Sequence, residues 1–472
     1  MTARLSIKKV FEGSKIGDEI KIAGWVRSVR KNKSFSFIVL NDGSCQDNLQ
    51  VVINEDIPEY ERASNLLTGS ALSVIGKVVE SGGKGQSIEL QGESVEVYGE
   101  ADNTYPLQKK GTSLEFLRDN AHLRVRTNLF GAIFRIRHTL AMATHQFFHE
   151  QGYYYLNSPI ITAYDAEGAG EMFSVSTLDP QKLPTNDKGE IDYSKDYYGR
   201  KSFLAVTGQL EAECHAMGLG GVYTFGPTFR SENSNTPRHL SEFWMVEPEV
   251  AFADLEDVAE LASLYIKRLI SEALEKNKAE LDFLKQWRKW QKIDDNNHQE
   301  TLKHVRDSKF KKITYTEAIE ILAASGEKFE YKPEWGAELQ TEHERFLAEK
   351  HFNVPVIVTD YPKSCKAFYM KQNANEEAGK ETVRAMDVLV PGVGELIGGS
   401  QREDSLEKLE NRIDEMGMDK DVLWWYLDLR KYGSVPHAGF GLGFERAVMY
   451  VTGMKNIRDV IAFPRTPKSA DF

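Results

Sequence analysis

Between Phe229 and Glu249 the chain reads FRSENSNTPRHLSEFWMVEPE. This stretch sets Arg230, Glu232, Arg238, His239, Glu242, Glu247 and Glu249 among Phe229, Phe243 and Trp244. Arginine presents a planar fork of donors to phosphate or carboxylate. Phe243 offers a flat face to a base. The flanks, Val222 to Phe229 and Glu242 to Phe252, are rich in strand formers, and the middle, Glu232 to Arg238, is turn chemistry. The expectation is an antiparallel hairpin with a long polar loop. On its strands, cations, carboxylates and aromatics alternate where half the positions should be buried. A solvated surface hairpin does not need that pattern; a nucleoside triphosphate held beside a charged substrate does.

Two further segments carry groups of the same kind. MDVLVPGVGELIGGSQRED sets Asp387 and Glu395 across a turn, with Arg402 just beyond. Paired carboxylates near a triphosphate suit Mg²⁺, a hard ion that takes oxygen ligands and keeps several waters. The competing reading is two solvated acids at strand ends. HAGFGLGFERAVMYVTG carries Gly439, Gly441 and Gly443, where bare backbone can approach a ligand, then Arg446 in a helix expected to begin near Phe444. Too few residues follow for a βαβ unit, so this is not a dinucleotide fold.

FRSENSNTPRHLSEFWMVEPE resembles motif 2 of the class II aminoacyl-tRNA synthetases. Its RHLSEFWMVEPE half is similar to the asparaginyl branch of the aspartyl, asparaginyl and lysyl subgroup, as is YPLQKKGTSLEFLRDNAHLRVRT further upstream. HAGFGLGFERAVMYVTG resembles motif 3. The resemblance covers nearly the whole chain. It implies a ligase that activates L-asparagine with ATP, releasing pyrophosphate, and then transfers it to the 3′ end of tRNA(Asn). Two rivals stand beside it: an aspartyl enzyme, including one that charges both tRNAs, and a non-catalytic RNA-binding paralogue.

Residue by residue, the resemblance implies Arg230 at the α-phosphate, with Arg238 and His239 near the β- and γ-phosphates. Phe243 and Arg446 would sandwich the adenine, Arg446 also approaching the γ-phosphate. Glu232 would contact the adenine or the tRNA acceptor end, and Arg230, Glu232 and Arg446 form the catalytic set. Mg²⁺ would sit on Glu395, with Asp387 as the second carboxylate. For the amino acid, Glu167 would hold the α-ammonium and Gln209 would contact the substrate. Arg402 would read the side chain, with Glu247, rather than Glu249, accepting from its amide NH₂. The aspartyl branch has a lysine three residues after the matching glutamine; here Ala212 stands there, which favours a neutral side chain.

These groups need a frame, and the fold class expected is α+β. Residues 1–100 read as five strands, Glu19 to Arg30, Phe35 to Asp42, Asn48 to Ile53, Ala71 to Val79 and Ile88 to Tyr98, with a helix over Glu59 to Leu67. That is the pattern of an OB-fold barrel, which binds single-stranded nucleic acid. From Ile20 to Asn41 there is no acidic residue, while Lys21, Arg27, Arg30, Lys31 and Lys33 are present. Trp25 is expected in the barrel core; Phe35 and Phe37 share one face. By resemblance, Arg30, Phe37 and Gln50 read the anticodon. Residues 101–118 form a hinge, and 119–472 a catalytic domain, an antiparallel sheet flanked by helices, with a helical insertion at about 270–350. Leu129 to Gln151 reads as a long helix, capped by Asn128 and ended by Gly152, followed by a strand containing Pro159. This pair resembles motif 1 and implies a homodimer.

The net charge of −12 excludes a generally basic nucleic-acid coat, so RNA contact must use local basic patches. Cys45, Cys214 and Cys365 are far apart with no zinc spacing, so no zinc and a reduced compartment are expected. With neither a signal-peptide core nor a membrane-length apolar run, the expectation is a cytoplasmic protein without a membrane span.

Overall fold

The computed structural model describes residues 3–83, 86–108, 111–166, 172–234, 236–293, 297–374 and 378–472. Strand alternation closes the N-terminal stretch on itself. β1 (Glu19–Lys31), β2 (Phe35–Asn41), β3 (Leu49–Asn54), β4 (Ala71–Glu80) and β5 (Ile88–Gly99) form a closed barrel in the order β1-β2-β3-β5-β4. Ile22, Val26, Ile38, Leu40, Val51 and Val74 fill its interior. The helix in the β3–β4 gap is shorter than expected, Tyr60–Ser64. Asn65 ends it, its side-chain amide turning back to the Glu61 carbonyl at 2.6 Å. Trp25 corrects the expectation of a core residue: it is 41 % exposed. Its neighbour Val26 takes the inward position, and the Arg126 guanidinium lies 5.5 Å from the Trp25 ring.

The chain divides into two compact units, Met1–Arg135 with Asp282–Trp287 and Phe472, and Ile136–Leu281 with Arg288–Asp471. The first therefore contains the expected hinge together with the helices Leu114–Asp119 and Ala121–Arg124.

The second unit is built on a sheet. Its strands are β6 (Tyr154–Leu156), β10 (Gly221–Phe229), β11 (Glu242–Ala251), β12 (Lys311–Thr314), β13 (Val356–Pro362), β14 (Thr382–Val390), β15 (Gly394–Gln401) and β16 (His437–Gly443), in the order β12-β13-β14-β15-β16-β11-β10-β6. β6 and β12 pair in parallel with their neighbours and the central pairs are antiparallel. A separate small sheet joins β7 (Ile161–Thr162), β9 (Ser202–Leu204) and β8 (Ser174–Val175). Pro159 thus lies between β6 and β7 and not inside one strand, because a proline lacks the N–H a ladder needs.

The long helix runs over Asn128–Glu150. Its cap is Thr127, whose Oγ1 accepts from the Phe130 N–H at 3.2 Å, and not Asn128, whose Oδ1 accepts from Arg27. Gly152, at φ +82°, turns the chain out of the helix as expected. The helix packs through Phe147 on Tyr265 of the helix Leu255–Lys276, and Thr144 Oγ1 meets the Tyr265 hydroxyl at 2.7 Å. The insertion is not wholly helical. It contains β12, four residues and too short to show a period of two, followed by the helix Tyr315–Ala324 with Thr314 and Glu317 as a capping box. Among the described residues, no helix is long and apolar enough to cross a membrane.

Candidate active site

Alternation along β11 decides what faces the site. Phe243, Met245, Glu247 and Glu249 fall on one side, while Trp244 turns to the other, edge-on to Phe225 at 5.5 Å. β16 runs beside β11 with Glu249 opposite Gly439 and Met245 opposite Gly443. A Cβ on Gly439 would stand 2.2 Å from Glu249 Oε1, and one on Gly441 2.7 Å from the Met245 side chain. The glycines therefore make room first for the β11 side chains.

Two cavities lie over this face. One, about 210 Å³, is bounded by Arg230, Glu232, Arg238, His239, Phe243 and Arg446, with Glu395 at its margin. These are the residues expected around ATP, and the fold brings them together. The Arg230 guanidinium sits 5.5 Å from the Phe243 ring. Arg446 Nη1 donates to Glu395 Oε2 at 3.3 Å. Burial, together with the Arg446, Arg230 and Arg238 charges, outweighs Glu232 and lowers the His239 pKa, so this side chain is a neutral hydrogen-bonding group near pH 7. Its Nδ1 lies 3.0 Å from Ser234 Oγ and 2.5 Å from Thr236 Oγ1.

The second cavity, about 220 Å³, shares Arg230, Met245, Glu395 and Gly441 with the first and adds Gln209, Glu247, Glu249, Lys366, Asp387 and Arg402. Arg402 is clamped. Its Nε donates to Glu249 Oε2 at 3.1 Å, its Nη2 to Glu249 Oε1, and its Nη1 to Ser400 Oγ at 2.7 Å. Burial alone would depress its pKa, but the Glu249 charge outweighs this and holds the guanidinium above its ordinary value. Behind it, Glu213 is fully buried and accepts from Arg430 Nη2 and the Tyr426 hydroxyl at 3.0 and 2.7 Å. Glu247 is occupied differently: Gly208 N donates to it at 3.0 Å, Thr224 Oγ1 at 2.7 Å, and Thr207 Oγ1 as well. Gln209 Nε2 donates to Glu213 at 3.0 Å. Ala212 does not line the cavity; it packs with Ala216 and Val222. The wall's charge is instead set by four carboxylates, Glu247, Glu249, Asp387 and Glu395, against three cations, Arg230, Lys366 and Arg402. Glu167 lies outside the described residues.

Asp387 and Glu395 fit a magnesium ion. A Cβ on Gly398 would stand 3.2 Å from Glu395 Oε1 and 3.4 Å from Asp387 Oδ1, so a bare backbone keeps the space between the two carboxylates open. Lys366 Nζ already donates to Asp387 at 3.0 Å, leaving Glu395 the less committed of the two. Glu344, behind them, is pushed up to about 7 by burial and by the Glu395 and Asp387 charges. A crowd of acids in that state is what a divalent cation relieves. Among the described residues no three metal-ligating side chains converge, so the remaining positions would fall to phosphate and water, as suits Mg²⁺.

Sequence reading weighed Glu249 but gave its place to Glu247, assigned Lys366 no role, and did not single out Glu213 or Glu344. The first is the only one with a local signal, since it shares the alternating face of Glu247.

On the barrel, Phe37 pairs with Arg30 and Val52, and Gln50 with Val39, which puts Arg30, Phe37 and Gln50 on one outer face. The Arg30 guanidinium stacks 4.5 Å from the Phe37 ring, with Phe35 edge-on at 5.2 Å. Gln50 Nε2 donates to Glu89 at 2.8 Å.

The family described as tRNA synthetases class II (D, K and N) matches residues 113–467, and that described as OB-fold nucleic acid binding domain matches 20–98. The chain is 54 % identical to the asparagine–tRNA ligase of Cytophaga hutchinsonii, over 99 % of this chain and 100 % of that one. It is 52 % identical to the asparagine–tRNA ligase of Pseudoalteromonas translucida over 100 % of both. Its fold is similar to the asparaginyl-tRNA synthetase from Pyrococcus horikoshii complexed with asparaginyl-adenylate, with a TM-score of 0.84 and 33 % identity over 100 % of both chains.

Proposed function

Because the chain belongs to the class II tRNA synthetases of the aspartate, lysine and asparagine group, we propose that its two cavities divide one reaction, the ATP-dependent joining of asparagine to tRNA(Asn). The observation that carries this reading is the sharing of Arg230, Met245, Glu395 and Gly441 by both cavities. A triphosphate in one and an amino acid in the other meet at Arg230.

In the first step an asparagine carboxylate oxygen attacks the α-phosphorus of ATP. The bond to the bridging oxygen of the β-phosphate breaks and pyrophosphate leaves. Negative charge builds on the α-phosphate oxygens, where Arg230 donates; catalysis is positioning and electrostatic stabilisation. Phe243 and Arg446 hold the adenine, Arg238 and His239 the outer phosphates, and Glu232 the adenine or the incoming acceptor end. Glu395, with Asp387 beside it, would hold Mg²⁺, which when bound offsets phosphate charge. In the second step the terminal ribose hydroxyl attacks the adenylate carbonyl and AMP departs, a substrate phosphate oxygen taking the proton.

Specificity follows from the wall of the second cavity. Arg402 donates to the amide oxygen of asparagine, and Glu247 accepts from its NH₂. An aspartate would set a charged second side-chain oxygen against Glu247 where asparagine sets an NH₂, and like charges at close range cost several kcal/mol. Gln209 and Glu167 complete the amino-acid site.

Arg30, Phe37 and Gln50 read the anticodon by stacking and polar contact. Phe37→Ala is expected to raise KM for tRNA about tenfold, the worth of one stacked base, and to leave tRNA-free pyrophosphate exchange unchanged. A parallel fall in both steps would show that the barrel is not a separate reader. The enzyme works as a homodimer through the Asn128–Glu150 helix and the segment around Pro159. The support is at the sheet edge: β6 presents Tyr154 and Tyr155, with Ile160 and Ile161 following, all exposed. An uncovered apolar edge of this kind calls for a partner. The cytoplasm is its place of work, where tRNA is charged and free Cys45, Cys214 and Cys365 stay reduced.

A further inference from the structure

The insertion touches the triphosphate half of the site at a point that the reaction itself does not require. Its segment Thr341–Arg345, continued by Phe346–His351, reaches two separate parts of the ATP cavity. Thr341 Oγ1 accepts from Arg238 Nη1 at 2.8 Å. Glu344 Oε2 accepts from the Glu395 N–H at 3.0 Å, and Glu349 Oε1 from the Gly392 N–H at 2.7 Å. Arg238 Nη2 then donates to the Val393 carbonyl at 2.7 Å, closing the loop between the two parts. The turn is shaped for this approach. Gly392 and Gly394 have φ of +94° and +90°, and a Cβ on Gly394 would stand 2.4 Å from Glu344 Oε2. The segment is itself held firmly. Leu347 and Ala348 are fully buried with Val356, Val358 and Leu389, Arg345 grips Glu349 at 2.7 and 3.0 Å, and His343 Nε2 meets the Tyr331 carbonyl at 2.7 Å.

We propose that Thr341, Glu344 and Glu349 form a positioning strap that fixes Arg238 and the Gly392–Glu395 turn in register before ATP arrives. The proposal rests on the reading of this cavity as the triphosphate site. A guanidinium has five N–H groups. Two of those of Arg238 are spent on Thr341 and Val393, which aims the plane and leaves three for phosphate oxygens. A long side chain that is already ordered loses less freedom on binding, so the strap lowers the cost of engaging the triphosphate. Glu344 and Glu349 do the same for the turn that carries Glu395, gripping its backbone and leaving the Glu395 carboxylate to the ligand. This gives the insertion a task in ATP binding, distinct from amino-acid recognition.

The test is pyrophosphate exchange by full-length Thr341→Val, which keeps the shape and removes the hydroxyl, with Thr341→Ser and Arg238→Ala alongside. The expected result is a KM for ATP raised about tenfold, the scale of one hydrogen bond to a charged group. KM for asparagine and Tm stay within error, and serine restores the wild-type value. In an Arg238→Ala background the valine substitution has no further effect, because the strap acts through that arginine. An unchanged KM for ATP in Thr341→Val, with Arg238→Ala raising it, overturns the strap alone. Equal rises in both KM values with a fall in Tm show a purely structural role and also overturn it. If Arg238→Ala leaves KM for ATP unchanged, the triphosphate reading fails and the strap with it.

Discussion

Arg230→Ala is expected to abolish measurable asparagine-dependent pyrophosphate exchange while the protein stays folded. Arg230 borders both cavities, so no other described cation can take its place where the two substrates meet. The loss expected is at least the 10²- to 10³-fold, roughly, that follows removal of one donor aimed at developing charge. It falls on kcat/KM for both substrates, because the interaction forms fully only in the transition state. The hairpin backbone does not depend on this substitution: the residue 230 N–H still pairs with the Ser241 carbonyl at 3.0 Å, and β10 and β11 keep their own ladder. Near-normal exchange by the variant would remove Arg230 from the reaction.

Arg402→Leu strikes stability and specificity together. The substitution leaves the Glu249 carboxylate buried at 1 % exposure without its clamp, and Glu213, 3.9 Å from Arg402 Nε, loses a countercharge as well. Breaking a buried pair by removing one partner costs about 3–5 kcal/mol. Denaturant unfolding should show that loss, and exchange with asparagine should vanish. Adding Glu249→Gln removes the stranded charge. The double variant should regain much of the stability, since buried pairs contribute little net free energy, but not the activity, since nothing then donates to the substrate amide. A double variant that recovered asparagine exchange would show that Arg402 supports the wall without reading the substrate.

The parts legible in the sequence are those with local periodicity. The β10–β11 hairpin, the five barrel strands and the helix ended by Gly152 announce themselves within windows of about ten residues. The residues that line the first cavity were legible because the stretches 229–249 and 437–453 each hold their own set. What escaped is set by distance along the chain. Glu249 and Arg402 are 153 residues apart, and Glu213 and Arg430 217 apart, and no spacing rule joins them. Trp25 was misread because alternation gives the two faces of a strand but not which is inner. The strap was invisible because polar helix starts such as TEHE, Thr341 to Glu344, are common on surfaces, and only the fold brings them to Arg238.

The measurement that bears most directly on this account is ATP–pyrophosphate exchange by the purified wild-type protein without tRNA, with asparagine and aspartate in parallel. Exchange with asparagine is expected, and at most a trace with aspartate, set by Arg402 and Glu247 in the second cavity. Equal exchange with both would leave the ATP site standing and take the choice of asparagine away from Arg402 and Glu247, and exchange with neither would show that the two cavities do not form one active site.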